Sequence, residues 1–419
     1  MFFEFSFLLI FIIIIGFYMA WNIGANDLAN SMASAVGAKA VTLHTAVILG
    51  GIMAFVGAVF VGSNVTETVK NGIVDPNAIK NSEFLLYGAI AALLGASFWI
   101  TLATWKELPI STTHSIVGGM VGFGVVAGGV KVVNWFKLGS IALSWVISPI
   151  LGAIIAYFIF KFILILILRR KKPLPAVKNI GPLLIALTAL IVSSSIFFKT
   201  PAGNKLGFGI EYLILLTIII SVLSGVIGRI IIARYIHKFK SIKRKTEKEQ
   251  YQIVEGIFKR LQLMTSCYIA FALGANDVAN AVGPMATAFS VELTGSVGTE
   301  VEIPIYLLIL GGIGIIIGML TWGYKVIKTI GTKITELTNT RGFSIDFGAA
   351  TSVLLASKAG MPVSTTHAVV GAVIGVGLAR GLEAVDLRII KKIVITWLVT
   401  VPIAALTTAG IFVVLCCVL

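Results

Sequence analysis

The stretch GANDLAN at residues 24–30 returns as GANDVAN at residues 274–280, changed only by Leu to Val. Each copy follows a largely apolar run and sets an Asp beside an Asn, with a second Asn three residues on. In hydrocarbon this is an expensive choice, because an ionised Asp at the centre of a bilayer costs at least about 2.5–3.5 kcal/mol. Making it twice implies a use for two buried carboxylates.

Composition says that the surroundings are hydrocarbon. The chain is 58% hydrophobic and 12% charged, with a mean hydropathy of +1.01, far outside the range of soluble globular proteins. Runs such as Phe5–Ala20, Leu138–Phe160, Tyr212–Gly228 and Ile393–Leu419 are long enough to cross a hydrocarbon core of about 30 Å. The expected fold class is therefore an all-α polytopic membrane protein. The net charge of +15 does not point to nucleic acid, since the basic residues cluster in short loops, as in RRKK (169–172) and RYIHKFKSIKRKTEKEQ (234–250). Cytoplasmic loops have this character under the positive-inside rule, which puts 169–178 and 234–260 inside the cell. Cys267, Cys416 and Cys417 offer no spaced pairing for a disulfide framework or metal site. The N-terminus lacks a basic flank and reads as a first membrane helix, not a cleaved signal.

A second phrase also recurs: LPISTTHSIVGGMVG at 108–122 and MPVSTTHAVVGAVIG at 361–375. Between the two phrases, each half holds a helix marked by paired glycines, Gly50-Gly51 and Gly311-Gly312. Three landmarks in the same order indicate an internal repeat. Loop charges indicate its orientation. Residues 63–83 carry two Lys and three acidic residues, whereas the equivalent 324–342 carry three Lys, one Arg and one Glu. After GAND the bias reverses, with Lys39 in the first half but Glu292, Glu300 and Glu302 in the second. Equivalent loops of opposite bias lie on opposite faces. The expectation is two inverted repeats, 1–170 and 261–419, around a central helical hairpin and basic loop at 171–260. Crossings near 5–21, 43–62, 84–103, 108–128 and 139–168, a hairpin at about 180–197 and 207–233, and five mirrored spans give about 12 transmembrane helices, with broken or re-entrant segments at the signatures.

The motifs suggest a chemistry. Gly, Ala and Asn around Asp27 and Asp277 would let the helix break, leaving free carbonyls beside each carboxylate. Carboxylate, carbonyl and Asn amide oxygens make a hard-oxygen site suited to alkali cations. Pro109 and Pro362 precede Ser111-Thr112-Thr113-His114 and Ser364-Thr365-Thr366-His367, which read as helix starts with hydroxyl caps. Two such N-termini meeting near the midplane would suit a small tetrahedral oxyanion. Ordinary helix capping is the plainer reading of either motif alone. Two carboxylates and a divalent anion need cations between them, and with no Arg in the motifs the simplest neutraliser is one sodium ion per Asp. His114 and His367 are candidates for packed histidines or for a proton or substrate contact; His44 and His237 read as ordinary loop or interfacial residues.

GANDLANSMASAVG and GANDVANAVGP, paired with the two P-[IV]-STTH segments, resemble the PiT family of inorganic phosphate transporters over essentially the whole chain. The resemblance implies sodium- or proton-coupled phosphate symport by alternating access in the plasma membrane, a homodimer, and neither enzymatic activity nor a resident cofactor. Carried over by residue, it implies Asn26, Asp27, Asn276 and Asp277 for ions. It also implies Ser111, Thr112, Thr113, Ser364, Thr365 and Thr366 for phosphate, with Asn30 and Asn280 supporting both. The short linker between the halves departs from members that carry a large cytoplasmic domain there. Sulfate as substrate, proton coupling and a passive anion channel remain alternatives. An intramembrane hydrolase fits less well, because a nucleophile and its base act singly and this set occurs twice.

Overall fold

The computed structural model describes residues 7–74, 78–79, 81–108, 110–198, 207–239, 246–295, 303–333, 337–381 and 387–418. Among these residues the chain forms thirteen α-helices and no strand. The first half contributes α1 (Phe7–Gly37), α2 (Leu43–Val61), α3 (Ser63–Asn71), α4 (Ser82–Trp105), α5 (Thr112–Gly128) and α6 (Trp135–Ile163), whose end widens into a π-turn at Leu164–Leu168. A hairpin of α7 (Pro173–Phe197) and α8 (Ile210–His237) follows. The second half contributes α9 (Glu247–Thr294), α10 (Ile305–Lys333), α11 (Asn339–Lys358), α12 (Thr365–Arg380) and α13 (Leu387–Val418).

Among the described residues, eight helical stretches are long and apolar enough to cross a membrane. α5 and α12 are shorter, at 17 and 16 residues; at 1.5 Å per residue they fall short of a crossing of about 30 Å. The chain breaks its helices there, where α4–α5 and α11–α12 turn at the two STTH phrases.

The expected break at GAND does not occur. Asp27 lies inside the uninterrupted 31 residues of α1, and Asp277 inside the uninterrupted 48 residues of α9. The motif glycines serve close packing instead. A Cβ on Gly24 would lie 1.9 Å from the Ile315 carbonyl oxygen of α10, and one on Gly274 would lie 1.9 Å from the Ala54 oxygen of α2. Each GAND helix thus rests its glycine on the glycine-marked helix of the other half. Small residues allow such backbone approach where lipid supplies no hydrophobic drive for association.

The short STTH helices dock in the same way. Gly118 and Gly122 of α5 meet the Val401 and Ala405 oxygens of α13, at 2.6 and 2.2 Å from a built Cβ. Gly371 and Gly375 of α12 meet the Pro149 and Ala153 oxygens of α6, both at 2.1 Å. The segments counted as loops for their charge are partly helical: residues 63–71 form α3, and α10 runs on to Lys333. α3 packs Val65 and Val69 into the core, which draws that polar stretch into helix.

The core has two lobes. One gathers α1, α2, α4, α5 and α10; the other gathers α6, α7, α11 and α12; α9 contributes to both. The α7–α8 hairpin packs beside α9. It is also tied to the second half by Lys358, whose Nζ donates to the Ser194 and Phe198 oxygens at 2.8 and 2.5 Å, at the C-terminal end of α7.

Candidate functional site

Ser111 and Ser364 cap α5 and α12 by accepting from the backbone N–H of His114 and His367, at 3.1 and 3.3 Å. Their extended backbone, and that of the preceding residues, is held by the GAND asparagines. Asn26 donates to Thr104 Oγ1 at 2.8 Å and to the Leu108 oxygen at 3.1 Å, and accepts from Ile110 N at 3.1 Å. Asn276 repeats the pattern, donating to the Val363 oxygen at 2.7 Å and accepting from Val363 N and Ser357 Oγ at 3.3 Å. Each Asn amide serves as a two-sided clip on an otherwise unpaired stretch of buried backbone.

The carboxylates next to these clips face the helix starts. Thr112 Oγ1 donates to Asp27 Oδ2 at 2.5 Å, and Thr365 Oγ1 donates to Asp277 Oδ2 at 2.9 Å. Thr366 Oγ1, from the other half, donates to Asp27 Oδ1 at 3.1 Å, while Asp277 Oδ1 accepts from Asn276 at 2.6 Å. Thr113 and Thr366 also reach across reciprocally, to the Val363 oxygen at 3.0 Å and the Ile110 oxygen at 3.3 Å. Asn280 donates to Thr112 and Thr113 at 3.2 and 3.1 Å. Both Asp residues are buried, and these partners are neutral. The side chain of Asn30 and residue Pro109 lie outside the described residues.

The structure therefore brings together both Asp, both Asn clips, Asn280 and all the STTH hydroxyl residues. Hydroxyl donors line the carboxylates, and the hydroxyl-capped starts of α5 and α12 are joined here through Thr113 and Thr366. The rings of His114 and His367 engage elsewhere, against Trp145 and Trp397.

Three features escaped sequence reading. Thr104 and Ser357 support the clips; they occupy matching places in the two halves, so the repeat offset was a usable signal. Trp145 and Trp397 hold the histidines. Asp346 of α11 is a third buried carboxylate, accepting from Ser34 of α1 and Ser266 of α9 at 2.6 Å each. It has no counterpart in the first half, where Leu93 stands, and so repeat comparison could not find it.

Residues 23–408 match the phosphate transporter family. The chain belongs to that family. A phosphate permease homologue from Pyrococcus abyssi is 49% identical over 405 residues, covering 96% of this chain and 97% of the relative. The inorganic phosphate transporter 2-1, chloroplastic, of Arabidopsis thaliana is 40% identical over 419 residues, covering 94% of this chain and 70% of that one. The solved structure of a sodium-dependent phosphate transporter is 46% identical and superposes with a TM-score of 0.91, covering 99% of this chain and 100% of that chain. This transporter is accordingly a multi-pass membrane protein and not an enzyme.

Proposed function

We propose that the transporter imports inorganic phosphate by sodium symport, with alternating access around a site built by two inverted repeats, as a homodimer in the plasma membrane. Asp27 and Asp277 hold the coupling ions, and the Ser and Thr hydroxyls with the first-turn amides of α5 and α12 hold phosphate. Asn26 and Asn276 shape this site by clipping the turns, and Asn280 orients the hydroxyls of Thr112 and Thr113. The loops at 169–178 and 234–260 face the cytoplasm.

One observation carries this reading. Two buried carboxylates accept hydroxyl donors from the STTH helix starts, Asp27 from both halves and Asp277 from its own, and these partners are neutral. Bringing a dianion to them needs cations. Driving the dianion inward against about 100 mV costs about 4.6 kcal/mol, at roughly 2.3 per charge. Two sodium ions cancel that electrical cost, and a tenfold gradient adds about 2.8 kcal/mol of drive. Asp346 offers a place for a further positive charge, which would make the cycle electrogenic.

The test is radiolabelled phosphate uptake into proteoliposomes under a sodium gradient, under a proton gradient alone, and with sulfate as competitor. Accumulation that needs sodium supports the reading. Equal uptake with protons alone removes sodium from it, and uptake independent of any gradient leaves a passive channel.

A further inference from the structure

His114 and His367 occupy the same place in the two halves, at the third position of α5 and α12. Their rings meet, with centroids 4.5 Å apart at 75°. Each ring is also pressed on a tryptophan of its own half: His114 on Trp145 of α6 at 3.8 Å, and His367 on Trp397 of α13 at 3.5 Å. The hydrogen bonds run crosswise. His114 Nδ1 lies 3.4 Å from the Trp397 oxygen, and His367 Nδ1 lies 3.2 Å from the Trp145 oxygen. A carbonyl only accepts, so both rings carry their proton on Nδ1.

The backbone explains one of these bonds. In a helix, the Trp145 carbonyl would accept from residue 149, which is Pro149 and has no N–H. The proline frees that oxygen, and His367 supplies the donor. Both Nε2 atoms are buried, without a hydrogen-bond partner among the described residues.

We infer that His114 and His367, wedged between Trp145 and Trp397, form a spacer that sets the gap between the α5 and α12 N-termini, and so the size of oxyanion the transporter selects. The geometry is that of a strut. The two helix starts are tied together by Thr113 and Thr366 and held apart by the ring-to-ring contact one residue further on. Tie and spacer together fix one separation. The histidines are positioning residues, since no hydrogen bond joins their rings to the hydroxyls or carboxylates of the site. The inference rests on the proposed anion site at these N-termini but not on which anion fills it.

The experiment measures initial uptake rates of phosphate, arsenate and sulfate by wild-type transporter and by His367→Ala, His367→Asn and Trp397→Phe. The Asn variant returns an amide donor near the Nδ1 position and guards against loss of fold, which is checked by size-exclusion profile. The spacer predicts a raised KM with Vmax within about twofold in both His variants, and a change of about tenfold or more in the ratio of kcat/KM between phosphate and arsenate. Trp397→Phe keeps the stacked face and changes that ratio by less than about twofold. Ratios unchanged in both His variants, or a fall in Vmax alone, would overturn the spacer. A wild type that prefers sulfate would instead refute the phosphate reading, and the ratios would still test the spacer.

Discussion

Thr366 donates its hydroxyl to Asp27 over 3.1 Å, across 339 residues of chain. The same carboxylate takes its other bond from Thr112 of its own half. Neither half can build this site alone, and any movement of one half against the other must alter the bonds on Asp27.

Replacing either aspartate should therefore abolish coupled transport. Asp27→Asn and Asp277→Asn keep the shape but remove the charge and one acceptor oxygen. Breaking a buried charged interaction costs about 3–5 kcal/mol, so the initial rate of phosphate uptake should fall by about a hundredfold or more. Proteoliposome uptake under a sodium gradient checks this; sodium-driven uptake at the wild-type rate and sodium affinity in either variant would contradict a role in ion binding.

Thr366→Val isolates the bond between the halves. It is close to isosteric and removes one hydroxyl donor to a carboxylate, worth about 1.5–3 kcal/mol. Half-saturation by sodium should rise by about tenfold or more while protein yield stays unchanged. The sodium dependence of uptake at fixed phosphate provides the measurement.

Gly24→Ala should separate α1 from α10. Its Cβ would sit 1.9 Å from a backbone oxygen that cannot swing aside, and overpacking of this kind costs about 1–3 kcal/mol. Gly410→Ala on α13, where a Cβ meets nothing within 4 Å, should leave stability unchanged. Thermal unfolding of the two purified variants in detergent compares them directly; equal melting would show that the close approach is not needed.

Asp346 should prove more important than its single copy suggests. Asp346→Leu leaves the hydroxyls of Ser34 and Ser266 without their acceptor, at about 1–3 kcal/mol for each buried group. Asp346→Asn retains an acceptor and should be the more stable of the two. Melting temperatures that rank in the opposite order would count against the hydrogen-bonded role.

The same residues show how far sequence reading reached. Paired phrases at a nearly constant offset marked the Asp and STTH residues before any contact was known, because a duplicated site repeats its local chemistry. The phrase GAND also misled: Gly and Asn read locally as helix breakers, yet Gly24 and Gly274 are contact surfaces and Asn26 and Asn276 are clips. Local propensity cannot distinguish a glycine that bends the chain from one that admits a neighbouring helix. Asp346 was passed over for a related reason, since nothing in its own stretch indicates that Ser34 and Ser266 converge on it.

Hydropathy, loop charge and the repeated phrases by themselves determined that this chain is a polytopic membrane protein with two related halves, two buried carboxylates and two hydroxyl-capped helix starts. These properties are periodic or local: a bilayer imposes apolar runs and charged loops on any spanning segments, and the repeated motifs stand out against that background. Only the tertiary structure decided which threonine meets which aspartate, that the GAND helices run unbroken, that the histidines turn to the tryptophans, and that a third carboxylate lies between α1, α9 and α11. Those choices depend on contacts between segments up to hundreds of residues apart, where the close approach of glycine-bearing backbones selects the partner.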